Sequence, residues 1–293
     1  MDTEIAELLV GAVDLHVHPG PSPFPRRIGI FEAAQQARDS GFGAIVVKSH
    51  HHSMVSDVLA IQAALGEMPL PVFSGVALNN QVGGLNPYAV ELALNQGGRI
   101  VWFPTIASAK HICVHNDELK FPRSSSAMRH STAVSILDDE GNVTAEVRDI
   151  LQLIRDGDMI LAGGHLDADE LNVLVTTALD MGLTRIVINH PNFVVGATVE
   201  RCKEWAARGV FIEHSLCMYD DRSTFHNWPV DTLLEFIAAV GPEQTLLVSD
   251  LGQANNPLPV ESYERVVRDL LDRGVEKPAL RQVLTNGAKL LNL

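Results

Sequence analysis

Four places in the chain carry side chains that bind metals. Near the start it reads Asp14-Leu-His16-Val-His18, later Gly163-Gly-His165 and Asn189-His190-Pro191, and near the end Ser249-Asp250. Histidine is the commonest protein metal ligand, and 12 histidines among 293 residues is well above the ordinary share. Neutral imidazoles with a carboxylate suit Zn²⁺, Mn²⁺ or Fe²⁺, and a coordination position left to water makes such a site catalytic. A divalent ion brings its water toward a pKa of ~7, giving hydroxide at neutral pH, and it also polarises a substrate carbonyl. An aspartate beside that water can ligate and then relay the proton to a leaving group. Taken singly, a histidine closing a strand is an ordinary hydrogen-bonded residue, and an aspartate there is an ordinary turn former or helix cap. His16, His18, His165, His190 and Asp250 together would need several independent coincidences.

All of these residues fall at the ends of short apolar runs. The runs cover 12–17, 44–48, 72–78, 100–104, 159–162, 185–189, 210–213 and 245–249. Their near-continuous hydrophobicity predicts parallel strands buried on both faces. Between them lie segments with helical spacing, at 30–40, 55–66, 87–96, 145–155, 170–181, 199–208, 231–240 and 260–273. Gly41, Gly97, Gly157, Gly182 and Gly209 stand where left-handed helix caps would precede the next strand. This alternation predicts an α/β fold, a closed (β/α)8 TIM barrel, as a single domain over 1–293. A long loop of about 106–143 follows the fourth strand, closing in a small hairpin around Glu140-Gly141. An open doubly wound sheet is the alternative, but it usually shows G-x-G-x-x-G after its first strand, and here that turn is His18-Pro-Gly-Pro-Ser-Pro. In a barrel the catalytic groups sit at the carboxyl ends of the strands. Alternate residues share a face and lie ~6–7 Å apart, so His16 and His18 are expected to point into the barrel mouth, with Asp14 deeper on the same face and Leu15 and Val17 packed outward.

The order His16-x-His18, His165, His190, Asp250 resembles the amidohydrolase superfamily of metal-dependent hydrolases, over nearly the whole chain. The tail Leu284-Thr-Asn286-Gly-Ala-Lys-Leu-Leu is similar to the Asn-Pro-Ala-Lys-Leu ending common there, with Gly287 in the place of proline. The resemblance implies a distorted barrel with one or two divalent ions. It implies His16 and His18 on the first ion, His165 and His190 on the second or on the substrate, and Asp250 as ligand and proton shuttle. Two-metal members carry a bridging lysine carbamate or glutamate after the fourth strand, whereas this chain has Trp102-Phe-Pro-Thr105. Lys48, ending the second run, is the substitute. Beside a cation a buried ammonium is costly, and carbamylation would make it an anionic ligand. The alternative is a plain ammonium that binds a substrate carboxylate or pairs with an acid such as Asp14.

Several further residues have two readings. His50 shares the face of Lys48 and could ligate, donate a proton or bind substrate, while His51 and His52 read as loop residues. His111-Ile-Cys113-Val-His115 could offer three soft ligands at alternate positions as an accessory zinc site, or the loop is a lid with His111, His115 or Arg123 touching substrate. Arg26 and Arg27 could bind an anionic group or stand as solvated charge. Of Glu213 and His214 only one can face inward. Asp14 either holds a ligating imidazole from behind, setting its tautomer, or is structural. His130 and His226 read as surface.

The net charge is −14, from 36 acidic and 22 basic residues, with no basic cluster. Nucleic acid and anionic membrane are therefore excluded as partners. No apolar stretch approaches ~18 residues, the acidic N-terminus lacks a secretory signature, and three scattered cysteines make no disulfide framework. Together these predict a cytoplasmic protein, and 46% hydrophobic against 20% charged residues supports a large core. The expected function is a metal-dependent hydrolase cleaving a small amide, lactam or lactone by metal-bound hydroxide. Its expected catalytic residues are Asp250, His190 and Lys48. The expected cofactor is one or two divalent ions, zinc before manganese or iron, held by His16, His18, Lys48, His165, His190 and Asp250. Substrate contacts are expected from His50, His111, Arg26 and Arg123. A decarboxylase of the same superfamily, a phosphoesterase and a non-enzymatic metal-binding protein are the rival readings. The partner is a small molecule, and a homo-oligomer is expected from base rates alone.

Overall fold

A computed structural model describes residues 2–115, 124 and 127–293. Arg123, expected at the substrate, lies outside the described residues. The strands are β1 (Val13–Val17), β2 (Ala44–Val47), β3 (Val72–Phe73), β4 (Gly75–Ala77), β5 (Ile100–Trp102), β6 (Ile160–Ala162), β7 (Ile186–Asn189), β8 (Phe211–Ser215) and β9 (Thr245–Val248). The helices are α1 (Thr3–Leu9), α2 (Ile30–Asp39), α3 (Val55–Leu65), α4 (Pro87–Asn95), α5 (Ala109–His115) and α6 (Ala145–Asp156), followed by α7 (Ala168–Asp180), α8 (Val199–Ala207), α9 (Val230–Val240), α10 (Pro259–Asp272) and α11 (Lys277–Leu291). Every strand pairing is parallel. Among the described residues no helix is long and apolar enough to cross a membrane.

The strands form two sheets, β1-β2-β3 and β4-β5-β6-β7-β8-β9, rather than the one closed ring expected. The break falls inside the single run predicted over 72–78. Ser74 turns its hydroxyl to the Val47 carbonyl, 2.8 Å away, and separates β3 from β4. Gly75 then runs so close to β5 that a Cβ there would lie 1.7 Å from the Ile100 oxygen. At the other edge the chain just past β9 meets β1: the Asp250 N–H donates to the His16 carbonyl at 2.8 Å and the His18 N–H to the Leu251 carbonyl at 2.7 Å.

Side chains sort into clusters on the two sides of the strands. One cluster draws on every strand, including Val13 and Leu15 of β1, Trp102 of β5 and Val248 of β9, and takes Leu290 and Leu291 from α11. Two others pack the opposite strand faces against the helices. Burial on both faces explains why the strands read as continuous apolar runs. Helix α11 is pinned by Asn286, whose amide donates to the Pro242 and Thr245 carbonyls at 2.7 and 2.8 Å. Gly287 faces β1, where a Cβ would come 2.9 Å from that of Val13.

Strand β1 departs from simple alternation. Val13 and Asp14 pair with Ala44 and Ile45, but Val17 pairs with Val47, so β1 carries one residue more than β2 over this stretch. Such a bulge reverses the facing of the residues after it. Asp14 therefore does not share the face of His16. It borders a small crevice with Val17, Ala33 and Ala37, while Leu15 joins the cluster that draws on the strands and α11 instead of packing outward. The segment expected as one long loop contains α5, and its end does close in a bridge between Leu137 and Val143. At the end of α6 the left-handed residue is Asp158, with φ 50°, rather than Gly157. Gly157 is needed for space, because a Cβ would meet Leu94 Cδ1 at 2.4 Å.

Candidate metal centre and active site

The backbone holds the strand-end residues in register after the strands have ended. The Lys48 N–H donates to the Val17 carbonyl, that of His165 to Pro104, and that of His190 to Glu213, at 2.8, 3.0 and 3.1 Å. His190 and Asp250 take left-handed conformations, with φ of 43° and 56°. Such backbone costs on the order of 1–3 kcal/mol and persists only where the surroundings impose it. Gly164, ahead of His165, has φ 67°, and a Cβ there would lie 2.2 Å from the Phe103 oxygen.

These turns bring donor atoms together. The Nδ1 of His18 faces the Lys48 carbonyl at 2.9 Å. A carbonyl only accepts, so this nitrogen carries the proton and Nε2 keeps its lone pair. The Nδ1 of His16 faces Glu213 Oε1 at 2.9 Å, and the Asn189 amide donates to the same oxygen at 2.9 Å. The two Nε2 atoms stand 3.2 Å apart. Asp250 Oδ1 is 3.3 Å from that of His16 and 3.1 Å from that of His18. His190 Nε2 lies 3.7 Å from Asp250 Oδ2, and its Nδ1 is held by the Ser215 hydroxyl at 2.7 Å. Donor atoms of His16, His190 and Asp250 all lie within 4.8 Å of one another.

Three electron-pair donors at 3.1–3.3 Å repel unless a proton or cation lies among them. A tetrahedral ion with ligand bonds of about 2.0 Å has edges of about 3.3 Å, so His16, His18 and Asp250 fit a first-row divalent ion. Electrostatics agree. Burial, helped by Lys48, holds His16 well below the usual imidazole range, burial lowers His18, and burial puts His190 at about 4. All three are neutral at pH 7. Burial alone would raise Asp250, but His16, His190 and His18 outweigh it whenever one of them carries a proton, and the carboxyl is held well below its usual range.

Lys48 lies on the donor side of His16, its Nζ 3.0 Å from the same Nε2 that faces His18 and Asp250 and 5.3 Å from the centre of the Trp102 ring, so here it offers that lone pair a proton. Burial lowers its pKa. Among the described residues it forms no ion pair with Asp14, and it is not among the residues lining the neighbouring cavity. Asp14 does not hold an imidazole either. Its Oδ1 accepts the backbone N–H groups of His16 and Ser249 at 3.1 and 3.0 Å, clasping the chain beside β1 to that after β9. Glu213 takes the supporting place instead. His214 turns the other way, to the Tyr219 hydroxyl at 3.1 Å. Sequence reasoning left Glu213 undecided; an acid closing the apolar run Val-Phe-Ile-Glu was the available signal.

A cavity of about 140 Å³ opens onto Asp250, His18 and His190 and is walled by Phe24, Phe193 and Phe225. His50, His111, His165 and Arg26 also line it. His50 is fixed by Thr105 Oγ1 at 2.8 Å and stacks on His18, with centroids 4.8 Å apart. His165 meets His111 through their Nδ1 atoms at 2.9 Å. His111 comes from α5, whose helical turn brings it to His115 and leaves Cys113 exposed. The three alternate ligands expected of an extended segment therefore do not share a face. His51 reaches the cavity as well, whereas His52 pairs with Asp57 at 2.9 Å and Arg27 with Glu261 at 3.1 Å. Cys217 and Gln253 are cavity residues that the sequence did not single out.

No curated protein matches the sequence. Among solved structures, an amidohydrolase from Pseudomonas aeruginosa is similar at a TM-score of 0.64 and 12% identity, over 98% of both chains. A Pseudomonas putida chain assigned as a 2-pyrone-4,6-dicarboxylic acid hydrolase is similar at 0.60 and 16% identity, over 97% of this chain and 98% of that one. An N-acetyl-D-glucosamine-6-phosphate deacetylase from Mycobacterium smegmatis is similar at 0.55 and 15% identity, over 96% of this chain and 76% of that one. At such identities the likeness is one of fold. The sequence itself matches the model of the Family of unknown function (DUF6282) over residues 11–213. The chain thus has the fold of the amidohydrolases and belongs to the DUF6282 family.

Proposed function

We propose that the protein is a divalent-metal-dependent hydrolase of a small amide, lactam or lactone. The observation that supports it most is the triangle of His16 Nε2, His18 Nε2 and Asp250 Oδ1, with edges of 3.1–3.3 Å, at the floor of an apolar cavity. On this reading the two sheets act as one (β/α)8 barrel, joined through Ser74 and along the seam between β1 and the chain after β9. The ion, zinc before manganese or iron, supplies Lewis acidity toward a carbonyl and a water of lowered pKa.

The chain's own groups do the rest. His16, His18 and Asp250 hold the ion, oriented by Glu213 and the Lys48 carbonyl. His190 and His165 face the same space and take a second ion or the substrate carbonyl. Asp250 accepts the proton of the attacking water and delivers it to the leaving atom. The balance is simple: the water oxygen joins the acyl carbon, the C–N or C–O bond breaks, and the proton goes to the departing nitrogen or oxygen. Lys48, whose Nζ reaches His16 Nε2, either takes up CO2 in its neutral form and ligates, or releases that nitrogen to the ion and stays outside the ligand set. His50 and His111 orient the substrate.

The test is elemental analysis of protein purified without chelator, paired with NMR of products from small amides, lactams and lactones. Bound metal and a new carboxylate are expected, with Asp250→Asn slower by about 10²–10⁴-fold. A protein that takes up no metal after resupply would overturn the reading, and CO2 release without water addition would replace it with a decarboxylase.

A further inference from the structure

Among the described residues, Arg26 and Gln253 of the cavity wall each have a polar side-chain atom without a partner. Arg26 Nε is buried and donates to nothing, and Gln253 Oε1 is buried and accepts from nothing. Both residues line the cavity that opens onto Asp250 and His18. Gln253 is only 8% exposed. Its amide cannot simply be flipped, because its Nε2 donates to the Asp250 carbonyl at 3.1 Å, which leaves Oε1 as the unused atom.

Neither residue sits on a free loop. Arg26 and Gln253 face each other as an antiparallel bridge. The flanking bonds run from the Arg27 N–H to the Gly252 carbonyl at 2.8 Å and from the Ala254 N–H to the Pro25 carbonyl at 3.1 Å. Among the described residues no acid forms an ion pair with Arg26, whereas its neighbour Arg27 has Glu261. A guanidinium fork matches a carboxylate through two parallel N–H···O bonds. An acceptor held beside it calls for a donor on the same ligand. The remaining walls, Phe24, Phe193 and Phe225, are apolar. A phosphate dianion fits less well, since Arg26 is the one guanidinium at the cavity among the described residues and the Asp250 carboxylate is close by.

We propose that this cavity takes an amide whose nitrogen bears a short carboxylate arm, the carboxylate on Arg26, the amide N–H on Gln253 Oε1 and the acyl group against the phenylalanines. This rests on the hydrolase reading for the chemical step: Gln253 is hydrogen-bonded to the backbone of Asp250, so the amide nitrogen it holds is beside the group that must protonate it.

Three probes separate the contacts: N-butanoylglycine, its methyl ester, which lacks the negative charge, and O-butanoylglycolate, which lacks the N–H. Binding is measured by titration calorimetry on the protein as purified, with NMR to detect any butanoate released. N-butanoylglycine should bind about tenfold or more tightly than the methyl ester and several-fold more tightly than the glycolate. Arg26→Gln should abolish the preference for acid over ester, Arg26→Lys should keep part of it, and Gln253→Leu should abolish only the preference for amide over glycolate. Metal content of the variants, read by elemental analysis, should stay at the wild-type level. Equal binding of acid and ester by the wild type, undiminished acid preference in Arg26→Gln, or no binding of N-butanoylglycine at millimolar concentration would each overturn the proposal. A wild type without metal that still prefers the acid would overturn the hydrolase reading alone.

Discussion

Glu213→Gln tests whether His16 is a metal ligand without touching the ligand itself. Glu213 Oε1 accepts from His16 Nδ1 and from the Asn189 amide, both at 2.9 Å, while Oε2 is buried with no partner. Glutamine can present its oxygen to the same two donors, so the shape and both hydrogen bonds survive. What changes is the charge behind the imidazole and an NH2 placed where Oε2 had no neighbour. Mutating the partner behind a ligating histidine weakens metal binding by about 10–100-fold, or ~1.4–2.8 kcal/mol at ~1.4 kcal/mol per tenfold. By linkage the same free energy leaves the stabilisation that metal confers. At roughly 2–4 °C per kcal/mol for a chain of this size, the metal-induced rise in Tm should shrink by about 3–11 °C. The metal-free variant should melt no lower than the metal-free wild type. Burial already pushes the Glu213 carboxyl up, so its charge is a burden to the fold without the ion. Zinc affinity is read by competition with a chromophoric chelator, and stability by melts with and without zinc. A folded variant with wild-type zinc affinity and an undiminished metal-induced rise would refute the assignment of His16.

Two other substitutions probe Lys48 and the strand packing. Lys48→Ala should lower the metal content per chain in bicarbonate-containing buffer, as elemental analysis would show; unchanged stoichiometry would show that Lys48 holds no ion. Gly75→Ala should destabilise the protein by about 3 kcal/mol or more, read by urea unfolding, because the new Cβ would fall 1.7 Å from the Ile100 oxygen and backbone must move. Wild-type stability there would mean that β4 and β5 do not approach so closely.

The strands were legible because burial on both faces leaves a continuous apolar run, and most helices because three-to-four spacing persists over ten or more residues. The cluster of His16, His18, His190 and Asp250 was legible for a related reason, since parallel strands in one barrel-like array all end on the same side. Helix α11, 15 residues long, was noticed only for its tail motif and not as a helix; the other failures depended on register or brevity. Asp14 was placed with His16 on the assumption of strict alternation, and the extra residue in β1 is set by how that strand pairs with β2. Helix α5 has seven residues, too few to show a period, so His111, Cys113 and His115 read as an alternating strand-like triplet. The division at Ser74 was invisible for the same reason: a single hydroxyl bonded to a neighbouring strand leaves no pattern in its own.

Local irregularity in this fold falls where the donors are. Among the described residues, five other than glycine take left-handed backbone: Asp158, His190, Asp250, Asn255 and Asn292. Aspartate and asparagine tolerate that region through their short polar side chains, and Asp158, Asn255 and Asn292 are exposed. His190 has neither excuse, being an imidazole that is 2% exposed. Asp250 shares the conformation within hydrogen-bonding reach of His18, and the bulge of β1 lies between Asp14 and Val17, the stretch that holds His16. Packing alone gives no reason for a buried strand to bulge at a histidine, or for two strands to end in strained turns, at sites that leave lone pairs facing one another. Each irregularity raises the free energy of the fold, and the donor atoms of His16, His190 and Asp250 lie within 4.8 Å of one another. A bound cation would remove the repulsion among those lone pairs, which is how the proposed metal site would account for the strain.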